Sequence, residues 1–419
     1  MDHTLTKSHT KYYVIAWVFG LLFYFLDYVI RSAPAVMIPE LSANFHVSSI
    51  GLVTIVGTYY YTYSICSLIA GMALDRFGAK YSLFAGAFIL GLGCLLFLIS
   101  SQFAGTAGRL LQGAGCAFAF PGCVYLASKG FSAKSLATAI GFTQCFGMLG
   151  GSAGQFIVGP WMENGMEIHT FWLWSGLFTI LVAVGLWFVI PANDAKEIAN
   201  NEKRPSLLEP YKIVFSNPQS WYCGIISGLL FAPTTIFAMT WAVAFFQKDL
   251  AFDFHTATIA SAMVALGWVF GCPILGYFTD KIGRRKPILR LGALIMIASL
   301  ILLLYFPDLI PAKVSMFMMG IGSGAAMIPY SIIKEANPDF VKGSATGAIN
   351  FITFGVTTLV SPVFSRLFGR SLEDTSDKIL HFQQAGFFWI VGIAIAIGIS
   401  FLLKETGLKS QQKAVVSNR

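Results

Sequence analysis

Apolar segments of about 20 residues or more, the length needed to cross the hydrocarbon core of a bilayer, recur along the whole of this 419-residue chain. Twelve can be read, near residues 12–38, 50–73, 81–100, 103–128, 135–158, 170–190, 220–247, 256–278, 288–306, 312–333, 343–368 and 382–403. Composition agrees: 56% of residues are hydrophobic and only 11% are charged, against roughly 25% charged in soluble domains. The expected class is an all-α integral membrane protein with twelve transmembrane helices.

A net charge of +8 would fit a nucleic-acid partner if the basic residues formed one face, but they are spread over short loops, and none is expected. Most of the 28 Lys and Arg fall on one set of loops and on the tails. The other set holds Lys248, Lys313, Arg366, Arg370 and Lys378, while Arg31 and Arg109 lie inside spans. The positive-inside bias then places both termini in the cytoplasm. MDHTLTKSHTK could open a signal peptide, but the apolar run after it is too long and lacks a small-residue cleavage site, so it is expected to stay as the first helix. The seven Cys lie inside spans without metal-like spacing, so neither a disulfide framework nor a metal site is expected. The six His are all read as lying outside the helical cores, which leaves an enzyme without its usual acid–base groups.

Residues 192–219 are polar and hold Pro205, Pro210 and Pro218; they read as a cytoplasmic linker between an N-terminal bundle, 1–191, and a C-terminal bundle, 220–419, of six helices each. The halves repeat each other. GLLF at 20–23 returns at 228–231, GMALDRFGAK at 71–80 returns as GYFTDKIGRR at 276–285, and ATAIGF at 137–142 is echoed by TGAINF at 346–351. Transporters show such duplication, with substrate bound near the midplane between repeats that rock to give alternating access.

FYFLDYVIRSAP (23–34) carries Asp27 and Arg31 within the first span, one turn apart on one helix face. Pairing avoids two isolated charges in a low-dielectric site. A structural ion pair is one reading. The other follows from intramembrane ionisable groups marking substrate or proton pathways: a substrate carboxylate competes for the bidentate Arg31 fork, and Asp27, losing its partner, takes up a proton that travels with the substrate. TYYYTYS (58–64) sets Tyr59 and Tyr63 on one face and Tyr60 and Ser64 on another, near mid-span, where a hydroxyl needs a partner; at least one pair is expected to line a cavity. Asp75 and Asp280 each follow a helix and precede a basic residue and a glycine, so each can face the positive end of a neighbouring helix while Arg76 or Lys281 meets lipid phosphate. Arg109 must be paired or bonded to carbonyls, whereas Gly113, Gly115, Gly320, Gly322 and Gly324 read as close helix contacts. Gln144, Asn350, Thr234, Thr235, Trp241 and Tyr330 are further polar or aromatic candidates inside spans.

The blocks Gly71, Asp75, Arg76, Gly78 and Gly276, Asp280, Lys281, Gly283 resemble the loop motif of the major facilitator superfamily, and RLLQGAG, with Arg109, Gln112 and Gly113, resembles its helix-4 motif. The resemblance covers essentially the whole chain. It implies that the two loops latch the cytoplasmic side closed and that Arg109 has a buried structural or coupling role. Tyr28, Arg31 and Pro34, in a Tyr-x-x-Arg-x-x-Pro pattern, are similar to the anion and cation symporter branch and to phagosomal transporters of amino acids or nucleosides in intracellular bacteria; lysosomal dipeptide carriers are a more distant likeness. In the symporter branch an amide in helix 5 and another in helix 11 contact substrate, which implies that role for Gln144 and Asn350; an amide tying helices together is the alternative. The drug-antiporter signature is incomplete, since Gly-Pro occurs only at 159–160.

The expectation is a proton-driven importer of a small carboxylate-bearing nutrient (amino acid, dipeptide or organic acid) in a bacterial cytoplasmic membrane, a functional monomer whose partners are that substrate and the lipid bilayer, with no cofactor and no enzymatic activity. Export of drugs or siderophores is the first alternative, and a nontransporting receptor the second.

Overall fold

The computed structural model describes residues 3–131, 133–191, 208–338, 341–369 and 377–407; residues 192–207 of the expected linker and Arg370 of its loop lie outside them. Among the described residues the chain is all-helical, and eleven helical segments are long and apolar enough to cross a membrane. With the fifth helix they are α1 (Lys11–Val36), α2 (Ser49–Leu74), α3 (Arg76–Leu98), α4 (Gln102–Gly130), α5 (Ala133–Phe156), α6 (Ile168–Val189), α7 (Pro218–Lys248), α8 (Phe254–Ile282), α9 (Lys286–Tyr305), α10 (Ala312–Glu335), α11 (Gly343–Gly369) and α12 (Lys378–Ser400). Helices are forced by the solvent, because an unpaired backbone group in hydrocarbon costs several kcal/mol. The fifth helix stands outside the eleven because glycines, Thr143, Gln144, Ser152 and Gln155 dilute its apolarity. It lies between α1 and α8, where those polar groups find partners: Thr143 accepts from Trp17 Nε1 at 3.0 Å and Gln155 donates to Ala238 O at 2.8 Å.

The two copies of the repeated block share a backbone feature. Gly78, between α2 and α3, has φ 75°, and Gly283, at the end of α8, has φ 67°. Only glycine adopts this region without cost, so both copies turn the chain sharply back into the membrane.

Glycines also set two close crossings. A Cβ on Gly113 of α4 would lie 2.1 Å from Tyr59 O of α2, and one on Gly320 of α10 would lie 2.1 Å from Val264 O of α8. The packing reading of these positions is therefore what the backbone requires. Past the glycines both helices are interrupted in mid-membrane. α4 breaks at Ala117–Phe118, before Pro121, and α10 passes through a 3₁₀ turn at Gly324–Met327, before Pro329. Pro233 in α7 likewise opens a wide-turned stretch, Pro233–Trp241.

The first six spans meet the last six along α2–α11 and α5–α8. At the end where α1 and α7 finish, Ala33–Val36 packs on Pro233–Trp241, and the last turn of α11 packs on Ser49–Gly57; this far end is closed. At the opposite end, which carries the short helix Glu209–Ser216, Tyr211 donates to Leu68 O of α2 at 3.2 Å. Between α4–α5 and α8–α10 that linker end opens into a crevice of about 650 Å³.

Candidate functional site: a buried ion pair beside a central cavity

Asp27 and Arg31 are buried, with 0% and 1% of their surface exposed. One helical turn of separation lets Arg31 Nη2 donate to Asp27 Oδ1 and Oδ2 at 3.1 and 3.3 Å. Tyr59 completes the cluster: its hydroxyl donates to Asp27 Oδ1 at 2.7 Å and accepts from Arg31 Nε and Nη2 at 3.1 and 2.8 Å. The guanidinium lies over the rings of Tyr28, Tyr63 and Phe354, 4.2, 4.8 and 5.6 Å from their centroids, where cation–π attraction offsets part of its desolvation. Arg31 Nη1 has no hydrogen-bond partner. In a buried guanidinium that is an unmet donor, which ordinarily costs of order 1–3 kcal/mol.

Arg109 carries no such vacancy. It donates to Val56 O, Ile30 O and Arg31 O, each at 3.1 Å, and to Gln112 Oε1 at 2.8 Å. Gln112 in turn donates to Gly93 O at 3.2 Å. The carbonyl-bonded alternative is the one present: Arg109 ties α4 to the ends of α1 and α2, and through Arg31 O to the backbone of the ion pair.

Tyr28, Tyr63 and Phe354 also wall a central cavity, with Tyr24, Phe120, Gln144, Phe231, Met327, Tyr330 and Asn350. Residues from α1, α2, α4, α5, α7, α10 and α11 converge there. In this conformation it has closed to about 10 Å³, room for one water at most. Gln144 accepts from Tyr24 at 3.2 Å, and Asn350 accepts from Tyr330, so each of these cavity-lining amides is held by a tyrosine. Gln144 and Tyr330 also line the linker-end crevice, which makes them the boundary between cavity and crevice.

Other candidates fall elsewhere. Tyr60 stacks on Phe354 with centroids 6.1 Å apart and points to Thr235 O at 3.5 Å, bridging α2 to α7, while Ser64 donates to Phe351 O at 2.7 Å. Trp241 lies in a far-end crevice of about 500 Å³ with Glu40, Glu163 and Lys248; the wide turns after Pro233 carry it past the cavity. Thr234 accepts from Trp268 Nε1 at 2.9 Å, and Thr235 bonds back to its own helix. Neither is among the residues that wall the central cavity.

Asp280 is 70% exposed and accepts from Arg285, the residue just before α9, at 2.7 Å, while Arg285 also pairs with Glu335 at 2.8 Å. Lys281 lies over the Tyr277 ring at 5.7 Å, and Arg76 is exposed. The side chain of Asp75 is outside the described residues. Gly71 gives Tyr211 room, the hydroxyl lying 3.0 Å from where a Cβ would stand, whereas Gly276 opens onto the crevice.

One expectation needs correction. His381 is not outside the helical core: it is 3% exposed, because α12 starts one turn before the expected 382, capped by Asp377 accepting from Leu380 N at 3.0 Å. Its partner is Asp249, 5% exposed, just beyond the end of α7. The sequence reading also missed Phe120, Phe231, Met327 and Phe354 as cavity walls. Its usable signal was the matched interruption of α4 and α10, Gly113 and Gly115 before Pro121 and Gly320, Gly322 and Gly324 before Pro329, since broken helices at corresponding positions of two repeats mark a transporter's binding site.

The model of the Major Facilitator Superfamily matches residues 20–362. The chain belongs to that superfamily. It is thus one of a family of secondary transporters, not of enzymes. Among its relatives, the membrane sensor protein UhpC of Escherichia coli (strain K12) is 25% identical over 94% of this chain and 91% of its own. The galacturonate transporter of Dickeya chrysanthemi is 25% identical over 65% of this chain and 85% of its own. In structure, a bacterial homologue of the human lysosomal transporter Spinster, inward-facing and unoccupied, superposes with a TM-score of 0.70 at 16% identity, covering 94% of this chain and 97% of that one. The nucleoside transporter NupG gives 0.70 at 15% identity, over 93% and 99%. These last two likenesses speak to the fold.

Proposed function

We propose that this superfamily member is a proton-coupled symporter of the anion and cation symporter type, importing a small carboxylate-bearing nutrient across a bacterial cytoplasmic membrane with both termini inside. The observation that carries the reading is the unmet Nη1 donor of Arg31, buried among three rings that wall a cavity shared by both halves. A substrate carboxylate fits that donor and draws Nη2 from Asp27. Asp27 then protonates, keeping Tyr59 as its neighbour. Charge is conserved through the cycle: the empty site holds Asp⁻ and Arg⁺, and the loaded site holds a neutral carboxyl, Arg⁺ and the substrate anion. Either form crosses as a neutral cluster, whereas substrate alone would leave net charge in a low-dielectric site. The galacturonate transporter among the relatives, and the probable galactarate/D-glucarate transporter GarP of Escherichia coli (strain K12), 21% identical, support a carboxylated sugar as the substrate.

The test is binding and proteoliposome uptake of a panel of sugar acids, amino acids, dipeptides and nucleosides. At least one monocarboxylate should bind and accumulate under an inward proton gradient; Arg31→Gln should lose binding, and Arg31→Lys should be poor because the planar fork is gone. Binding unaffected by Arg31→Gln would remove the site. A second reading has one specific support: UhpC is named a membrane sensor, so two repeated halves do not by themselves exclude a receptor. Saturable binding without counterflow in either direction would select it.

A further inference from the structure

Asp249 and His381 form a buried titratable pair that the Asp27–Arg31 site does not use. His381 Nδ1 lies 2.8 Å from Asp249 Oδ2, and its Nε2 lies 2.9 Å from the carbonyl oxygen of Phe368. A backbone carbonyl only accepts, and so does an ionised carboxylate, yet a neutral imidazole has a single N–H. Both contacts are made together only when the pair holds one more proton, as imidazolium with carboxylate or as imidazole with a neutral carboxyl. Asp249 Oδ1 has no hydrogen-bond partner, and burial pushes this carboxyl up, against the pull of His381 and Lys378. The charged and titratable groups on the surrounding segments, Lys248, Asp253 and His255 beside the end of α7, Arg366 on α11, and Asp377 and Lys378 on α12, are all exposed. None replaces the missing proton.

The pair sits where three elements converge. Asp249 follows α7, Phe368 belongs to the last turn of α11, and His381 is in the first turn of α12, its ring stacked on Phe245 with centroids 5.3 Å apart. That turn of α11 seats the Trp241 ring against Gly369, where a Cβ would come within 2.6 Å of it, and packs on the first helical segment of α2. Losing the proton turns one of the two His381 contacts into lone pair against lone pair and frees the turn that closes the far end.

We infer that Asp249 and His381 are a proton-binding site, separate from Asp27, whose occupancy holds the far ends of α7, α11 and α12 together and keeps the far end closed. Because its residues and its readout differ from those of the symport site, its failure leaves the Arg31 reading intact, and the reverse.

Hydrogen–deuterium exchange of the full chain in lipid nanodiscs tests it, followed at residues 361–369 at about pH 6 and about pH 8 and corrected for intrinsic exchange. In the wild type, protection of this segment should fall about tenfold or more at the higher pH. Asp249→Asn copies the protonated pair, since its amide donates to Nδ1 while Nε2–H still reaches Phe368 O; protection should be high at both pH values. His381→Phe keeps the stacking but loses the tie and should be unprotected at both. Wild-type protection that does not change with pH, or an Asp249→Asn variant that follows the wild-type response, overturns the inference even if His381→Phe fails to fold.

Discussion

The Tyr59 hydroxyl is 2.7 Å from Asp27 Oδ1 and 2.8 Å from Arg31 Nη2, donating to the first and accepting from the second. A residue of α2 thus stitches shut an ion pair that α1 makes on its own. Tyr59→Phe leaves Asp27 and Arg31 paired but strips one partner from each inside a dry site. The expected cost is about 1–3 kcal/mol of stability, readable as a lower thermal midpoint in detergent or lipid. An unchanged midpoint would mean that water or a neighbouring hydroxyl fills the gap and that the tyrosine is not part of the cluster.

Gln144 of α5 and Asn350 of α11 both line the central cavity, each tethered by a tyrosine. Truncating either to Ala should weaken substrate binding by about 1 kcal/mol, roughly fivefold, the scale of one buried hydrogen bond. Calorimetric titration of both variants checks it. Affinities equal to wild type in correctly folded protein would return both residues to helix packing.

Asp280 lies at the linker end and pairs with Arg285 while mostly exposed, so its contribution to static stability is small. Its proposed role is conformational. Asp280→Asn, and Asp75→Asn in the first copy, should slow transport while leaving substrate affinity within a few-fold, measured as initial rates beside equilibrium binding. Large losses of affinity with normal turnover would contradict the latch.

The class and the helix positions were legible because bilayer thickness and the lack of water in hydrocarbon leave few choices for an apolar run. The ion pair was legible for the same reason: charges in such a run are conspicuous and must find each other. What could not be read was side-chain direction. Trp241 resembled a cavity residue by position, but the wide turns after Pro233 rotate it to the far end. His381 was misplaced by one helical turn at a boundary, and that turn separates a surface histidine from a buried one. The cavity itself depends on seven helices meeting, and only the interruptions of α4 and α10 announced where.

The coupling role of Asp27 is separable from its structural one by what remains when the charge is removed. Asp27→Asn keeps the size of the side chain and an acceptor for Tyr59, and it leaves Arg31 with its positive charge and a freer fork. Binding of a substrate anion should therefore persist, and exchange of labelled for unlabelled substrate across the membrane should continue, because Arg⁺ with the bound anion is neutral without a proton. The unloaded carrier now holds an uncompensated Arg⁺ in a low-dielectric site, so its return is hindered and net flux slows while exchange does not. Accumulation driven by a pH difference should vanish. In the wild type, uptake of a monocarboxylate should move no net charge, so imposing a membrane potential at fixed pH difference should leave the accumulation ratio unchanged. If Asp27→Asn vesicles still concentrate substrate when only a pH difference is imposed, the proton rides elsewhere and the Asp27–Arg31 pair is a structural one.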